Sequence, residues 1–174
     1  MPLTLEEVKC RAEITDTLHR YAQGVDQRAW NLFLSAFTED ALIDVVGYLE
    51  NKLTPAAFRD FLATTFDEAR LSGQHFLSNT LFRIAGDEAH TVTEFLAVNL
   101  ERSSREGLFR RQVAGGLYVD VLRREASGWR IARRTIVRKS DDVEERIYLP
   151  QTIAAVEATL HSRFYAVETN QEKR

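Results

Sequence analysis

The apolar residues of this chain change their spacing near residue 74, and that change decides the fold class. Before it, Ile14, Leu18, Tyr21, Ala22 and Val25 recur at helical spacing, as do Phe58, Phe61, Leu62 and Phe66; after it, apolar and polar residues alternate through long runs. Thr4 and Glu7 have capping-box spacing, which predicts a first helix from about residue 5 to Gln23, with Gly24 as its stop. A short helix over Ala29 to Phe37, a polar break at Thr38-Glu39-Asp40 and a short strand from Ala41 to Val46 follow. Thr54-Pro55 opens a third helix, closed by Gly73. Strands are then expected over Gln74 to Ile84, Glu88 to about Arg102, Leu108 to Arg124 and Trp129 to Lys139. Gly115-Gly116 inside the third of these marks a bulge or sharp bend. Asp141 to Glu145 reads as polar connection, and after Pro150 a last helix turns Ile153, Val156, Leu160 and Phe164 inward.

This order predicts one α+β domain over residues 1–174, with a core at about 5–140 and a C-terminal extension at 141–174. Long antiparallel strands with a bulge curl, and helices can close one mouth of the curled sheet. The conical interior left behind is where such a fold places a ligand.

Composition narrows the function. With 44% hydrophobic residues, 28% charged residues and a net charge of −3, the chain reads as an ordinary globular protein without a nucleic-acid footprint. Its single cysteine, Cys10, forms no internal disulfide and fits a reducing compartment. No leader is legible and no apolar run approaches the roughly 20 residues that span a bilayer, so a cytoplasmic protein off the membrane is expected. The four histidines lack metal-ligand spacing, and no phosphate loop, dinucleotide fingerprint or nucleophile elbow is present, so neither metal nor cofactor is expected.

The candidate chemistry starts at Tyr21-Ala-Gln-Gly-Val-Asp26-Gln-Arg-Ala-Trp30, where Asp26 lies at the seam between two inward-facing helical stripes. A carboxylate there needs a partner. His75 is the candidate: alternation puts it with Leu77, Asn79 and Leu81 on one face of a strand whose two faces both hold apolar residues. Asp26 on one ring nitrogen would orient the other as a general base. Tyr21, or Tyr48 across the cavity, would donate to an oxygen of the substrate. Two plainer readings stand beside this one, a satisfied core histidine at His75 and a helix cap at Asp26. Alternation also leaves Arg134 either inward, beside Ala132 and Ile136, or solvated. Glu94 and Asn99 fall on opposite faces of one strand, so one of them can point into the cavity, with a solvated outer face the favoured reading; Asp44 is open to a cavity role, with a structural hydrogen bond favoured.

Four segments together, Tyr21 to Trp30, Phe37-Thr-Glu-Asp-Ala41, His75-Phe-Leu-Ser-Asn79 and Gly128-Trp-Arg-Ile-Ala-Arg-Arg134, resemble the SnoaL-like branch of the NTF2-like superfamily over about residues 5 to 140. The resemblance implies a cone of curved, mainly antiparallel sheet wrapped around N-terminal helices. Cofactor-free lyases of that family include scytalone dehydratase, bile-acid dehydratase and lindane dehydrochlorinase. It therefore implies elimination from a small hydrophobic cyclic substrate, with His75 as base, Asp26 as its orienting partner and Tyr21 as proton donor. Tyr48, Asn79 and Arg134 would position substrate, with Trp30, Phe58 and Leu77 among the walls. A homodimer or homotrimer is implied as well. The same superfamily also holds polyketide cyclases and ketosteroid isomerases, structural β subunits of ring-hydroxylating dioxygenases, and pockets that only bind hydrophobic molecules.

Overall fold

The computed structural model describes residues 2–159, so the expected inward positions of Leu160 and Phe164 lie outside the described residues. Helices α1 (Leu5–Asp26) and α2 (Trp30–Ser35) lead into strand β1 (Phe37–Val45) and helix α3 (Pro55–Thr65). Strands β2 (Arg70–Ala85), β3 (Glu88–Arg102), β4 (Phe109–Glu125) and β5 (Gly128–Arg146) follow, then helix α4 (Pro150–Ala158). The five strands form one curved sheet in the order β1-β5-β4-β3-β2, with β1 parallel to β5 and the other pairs antiparallel. This is a mixed α+β fold, as expected from the change of period.

Local sequence sets the starts of α1 and α3. Thr4 and Glu7 bond each other reciprocally at the head of α1, and Thr54 accepts from the Ala57 N–H at the head of α3, with Pro55 in the first turn. The concave face of the sheet and the inner stripe of α1 share a core that includes Ile14, Leu18, Phe33, Tyr118, Trp129 and Ile131. Helix α4 covers a separate patch, where Ile153 meets Leu71 and Leu100.

Several expected boundaries move. Helix α1 runs on through Gly24 to Asp26, because Gly24 serves packing and does not end the helix: a β-carbon there would lie 2.5 Å from the Phe33 backbone nitrogen. Strand β1 starts at Phe37 and takes in the polar Thr38-Glu39-Asp40. Gly73, expected to close α3, is instead the fourth residue of β2, and the helix ends at Thr65. Strand β5 continues through Asp141 to Arg146, since Arg110 faces Glu145 and Arg111 faces Glu144 across the β4–β5 ladder, a complementarity invisible one strand at a time.

Two bulges set which side chains face inward. In β2, Asn79 and Thr80 together oppose Thr93, and Asn79 adopts φ 51, a left-handed conformation that asparagine tolerates. Positions 75 and 77 point inward before that bulge and 80, 82 and 84 after it. In β5 the extra residue is Ala132: Trp129 and Ile131 are buried before it, Arg134 and Ile136 after it. The irregularity expected at Gly115-Gly116 is present, with Lys139 of β5 as the residue left over.

Candidate active site

Asp26 is the last residue of α1, only 3% exposed, and its carboxylate turns toward β2. It caps nothing: the residue ahead of α2 is Ala29, which makes no side-chain cap bond. One oxygen, Oδ2, accepts the His75 backbone N–H at 2.7 Å, and the other, Oδ1, lies 2.5 Å from the His75 Nδ1. A carboxylate can only accept, so the hydrogen-bond network assigns the ring proton to Nδ1 and leaves Nε2 as the basic nitrogen.

The strand around His75 is shaped to admit that carboxylate. A β-carbon at Gly73 would lie 2.8 Å from Arg70 Nη1 and 3.2 Å from both Asp26 Oδ1 and Asn99 Oδ1, so three polar side chains converge where a side chain is missing. Arg70, itself buried, donates to the Val25 carbonyl at 2.9 Å and pairs with Asp67 at 2.6 Å. Arg28 donates to the Asp67 carbonyl at 2.8 Å and also to the Arg70 carbonyl. These bonds tie the end of α1 to the start of β2, which fixes Asp26 against His75.

His75 lines a cavity of about 170 Å³ between the concave sheet and helices α1 and α3. Its apolar wall includes Val25, Phe58, Phe61, Leu62, Phe66 and Ile136, and its polar lining includes Arg70, Asn99, Glu101, Gln112 and Arg138. Tyr48 stands at the mouth, 58% exposed, on the turn after β1; its hydroxyl accepts from Arg138 Nη1 at 3.1 Å. Both Arg138 and Tyr48 also bond the Asp141 carboxylate.

Tyr21 and Tyr118 line the cavity beside His75, their rings edge to face at 5.4 Å, and Tyr118 stacks on Phe95 at 4.3 Å. The Arg134 guanidinium lies between them, 3.9 Å from the Tyr21 ring centre and 4.2 Å from that of Tyr118. It is held by both oxygens of Asp120 at 2.8 and 2.7 Å. Burial works against the guanidinium charge, but Asp120 overrides it and holds the Arg134 pKa above its ordinary value. Burial raises the Tyr21 phenol, against the pull of Arg134 and a bond to Tyr118; burial and the Tyr21 neighbour raise Tyr118 further. Both phenols are therefore proton donors across the physiological range.

A phenol whose pKa rises on folding adds stability below its ordinary value of about 10, and that stability is lost as the pH climbs through the folded value. Tyrosinate absorbance should accordingly show two of the five tyrosines titrating late, together with alkaline unfolding. Ionisation of every tyrosine near pH 10 in the folded protein would contradict the buried arrangement.

Of the residues expected at the site, His75, Tyr21, Tyr48 and Phe58 line the cavity, with Asp26 directly behind His75. Four expected substrate contacts do not line it. Asn79 is exposed, because the β2 bulge turns it out of the face it would share with His75 under strict alternation. Arg134 points inward but is 1% exposed, sealed behind the two tyrosine rings. Trp30 packs edge-on to Phe33 at 6.0 Å, and Leu77 packs against the core. Of the two residues on opposite faces of β3, Asn99 is the one that lines the cavity, against the favoured solvated reading, while Glu94 faces out to Lys139 at 2.8 Å. Asp44 pairs with Lys52 at 3.7 Å on the surface. Tyr118, Gln112, Arg138 and Arg70 are among the lining residues that were not anticipated. Alternation along β4 carries the missing signal for two of them, since Gln112, Ala114, Tyr118 and Asp120 share its buried face.

The match to known proteins follows this architecture. A family model of the SnoaL-like domain matches residues 6–135. Among solved structures, hexachlorocyclohexane dehydrochlorinase LinA-type3 from Novosphingobium barchaimii is similar at TM-score 0.71 and 16% identity, covering 84% of this chain and 98% of that one. A scytalone dehydratase-like protein from Novosphingobium aromaticivorans gives TM-score 0.66 at 18% identity over 79% and 87%. The Kfla4162 protein from Kribbella flavida gives 0.67 at 20% over 78% and 94%. At these identities the likeness is one of fold. A search of curated protein sequences finds no match. A sheet curved around N-terminal helices, found in the neighbours, and a family match that takes in every element from α1 into β5 lead to one conclusion: the chain belongs to the SnoaL-like family, within the NTF2-like fold.

Proposed function

We infer that this protein is a cofactor-independent lyase that removes water or another small leaving group from a hydrophobic cyclic substrate. The observation that carries the reading is the Asp26–His75 pair, in which a buried carboxylate spends both oxygens on one histidine and leaves Nε2 at an aromatic-walled cavity. In this reading His75 Nε2 takes a proton from a carbon next to an activating group. The electron pair of that C–H bond forms the new double bond, and the leaving group departs with its own bonding pair. Tyr21 protonates or polarises the departing or carbonyl oxygen, a role open to a phenol held neutral by burial. Asp26 stabilises the imidazolium that forms. Two structural neighbours, a dehydrochlorinase and a scytalone dehydratase-like protein, are named for elimination chemistry, which supports this choice.

A ketosteroid-isomerase-like reading needs a carboxylate base, whereas both Asp26 oxygens accept from His75 and the other carboxylates lining the cavity, Asp67 and Glu101, are each paired with an arginine. The test is turnover on a panel of cyclic β-hydroxy ketones and chlorinated cyclohexanes, monitored as appearance of the conjugated enone in the first case and release of chloride in the second. His75→Ala should reduce kcat/KM for whichever compound is turned over by a hundredfold to ten-thousandfold with folding intact. No turnover of any compound, together with co-purification of a larger iron-containing subunit, would replace this reading with that of a structural β subunit.

A further inference from the structure

Beside the dyad, the sheet carries a feature that acid–base chemistry does not use. The strand register sets His75, Ala97, Ala114 and Asp141 in one row across the concave floor, and Gly73, Asn99 and Gln112 in the next. Ala97 and Ala114 are buried and small, so the floor next to His75 is left open. The adjoining row puts two carboxamides side by side on neighbouring strands, and both line the cavity. Gln112 donates from Nε2 to Asp141 at 2.8 Å. A carboxylate partner demands the NH₂ end, so the Gln112 Oε1 is the end left to accept. The Asn99 side chain makes no hydrogen bond to another side chain among the described residues, and it supplies both a donor and an acceptor.

From this geometry we propose that Asn99 and Gln112 form a substrate-oxygen subsite that selects rings bearing a hydroxyl or carbonyl group over bare hydrocarbon or halocarbon rings. The proposal rests on the elimination reading for the identity of the reacting carbon and adds to it the class of substrate. Along β2 the carboxamide row and the His75 row are two residues apart, about 7 Å by strand rise. One six-membered ring, its exocyclic oxygen and a hydrogen bond span that distance. A ring lying over Ala97 and Ala114 therefore presents a carbon to His75 Nε2 while its oxygen reaches the carboxamides. The neighbouring aromatic wall supplies affinity that does not distinguish the two classes of ring; the carboxamides supply the distinction, because an apolar ring edge leaves them desolvated and unpaired.

The test compares 2-indanol with indane, two probes of the same ring system that differ in one hydroxyl, by ligand-observed NMR titration. The wild-type protein should bind 2-indanol about tenfold more tightly than indane. Asn99→Leu with Gln112→Met, close to isosteric, should bring that ratio near one while leaving indane affinity unchanged or improved. Thermal unfolding checks the double variant, and Asn99→Leu alone should at least halve the ratio if the pair does not fold. His75→Ala should keep the preference, which separates this subsite from the dyad: lost turnover with a retained ratio upholds the subsite whatever becomes of the elimination reading. Equal binding of the two probes by the wild type, binding of neither, or a ratio that survives Asn99→Leu overturns the proposal.

Discussion

Asp26→Asn is expected to lower kcat by a thousandfold to ten-thousandfold, about as much as removing His75 itself. The reason lies in what the two oxygens of Asp26 accept: the His75 backbone N–H on one and Nδ1–H on the other. An asparagine keeps one acceptor and replaces the other with an NH₂ donor. If its oxygen stays on the backbone N–H, the NH₂ faces Nδ1, which must then give up its hydrogen and accept. The ring proton moves to Nε2, and the nitrogen at the cavity can no longer take a proton. If the amide turns the other way, its NH₂ opposes a backbone N–H, a buried clash of donors that costs about 1–3 kcal/mol. Either way the variant folds to nearly the same geometry with the wrong tautomer or a weakened support. The double variant Asp26→Asn with His75→Ala should be no slower than either single variant, since the two side chains act as a unit. A kcat unchanged within a factor of about three, with only the melting temperature lowered, would make the pair a structural one.

The contrast between that pair and the rest of the site shows what sequence carries. The seam position of Asp26 and the apolar company of His75 made a pair of residues 49 positions apart a candidate beside a core histidine and a helix cap. It was the resemblance of whole segments that favoured the pair, whose bonding the structure shows. Helix caps were legible on their own: Thr4 with Glu7 and Thr54 with Pro55 act within one turn. Period-2 alternation was legible only until a bulge interrupted it. Strict alternation carried the face of His75 on to Asn79, but one inserted residue turned the strand over, and the left-handed φ of Asn79 that marks the bulge has no signature in composition. At Ala132 a second inversion brought Trp129 and Arg134 to the same side, which strict alternation assigns to opposite faces. Cross-strand neighbours were less legible still. Gln112 next to Asn99, and Arg110 opposite Glu145, depend on a register that only the assembled sheet defines. Glycine was read as a helix stop at Gly24 and Gly73, whereas at both positions it makes room for another group.

Asp120→Ala is expected to be the most destabilising single substitution at the site, by about 3–5 kcal/mol. Arg134 and Asp120 have side chains 0% exposed, and both donors that meet the carboxylate do so within 2.8 Å. Removing Asp120 leaves a guanidinium that cannot shed its proton, enclosed by two aromatic rings that recover only about 1–2 kcal/mol each. For a chain of 174 residues, a loss of this size should lower the melting temperature by about 6–20 °C. Replacing the pair together, Asp120→Leu with Arg134→Met, should recover most of that stability, because the penalty belongs to the unpaired charge and the apolar replacements fill a similar volume. The same double variant also tests what the charge does for the cavity. Arg134 lowers the Tyr21 phenol against the larger effect of burial, so without it the Tyr21 pKa should climb further and the phenol should become a poorer acid. A folded double variant with a later tyrosine titration and a reduced kcat would assign Arg134 to positioning and tuning Tyr21. A melting temperature for Asp120→Ala within about 2 °C of wild type would mean that Arg134 is far better solvated than its enclosure between the rings allows.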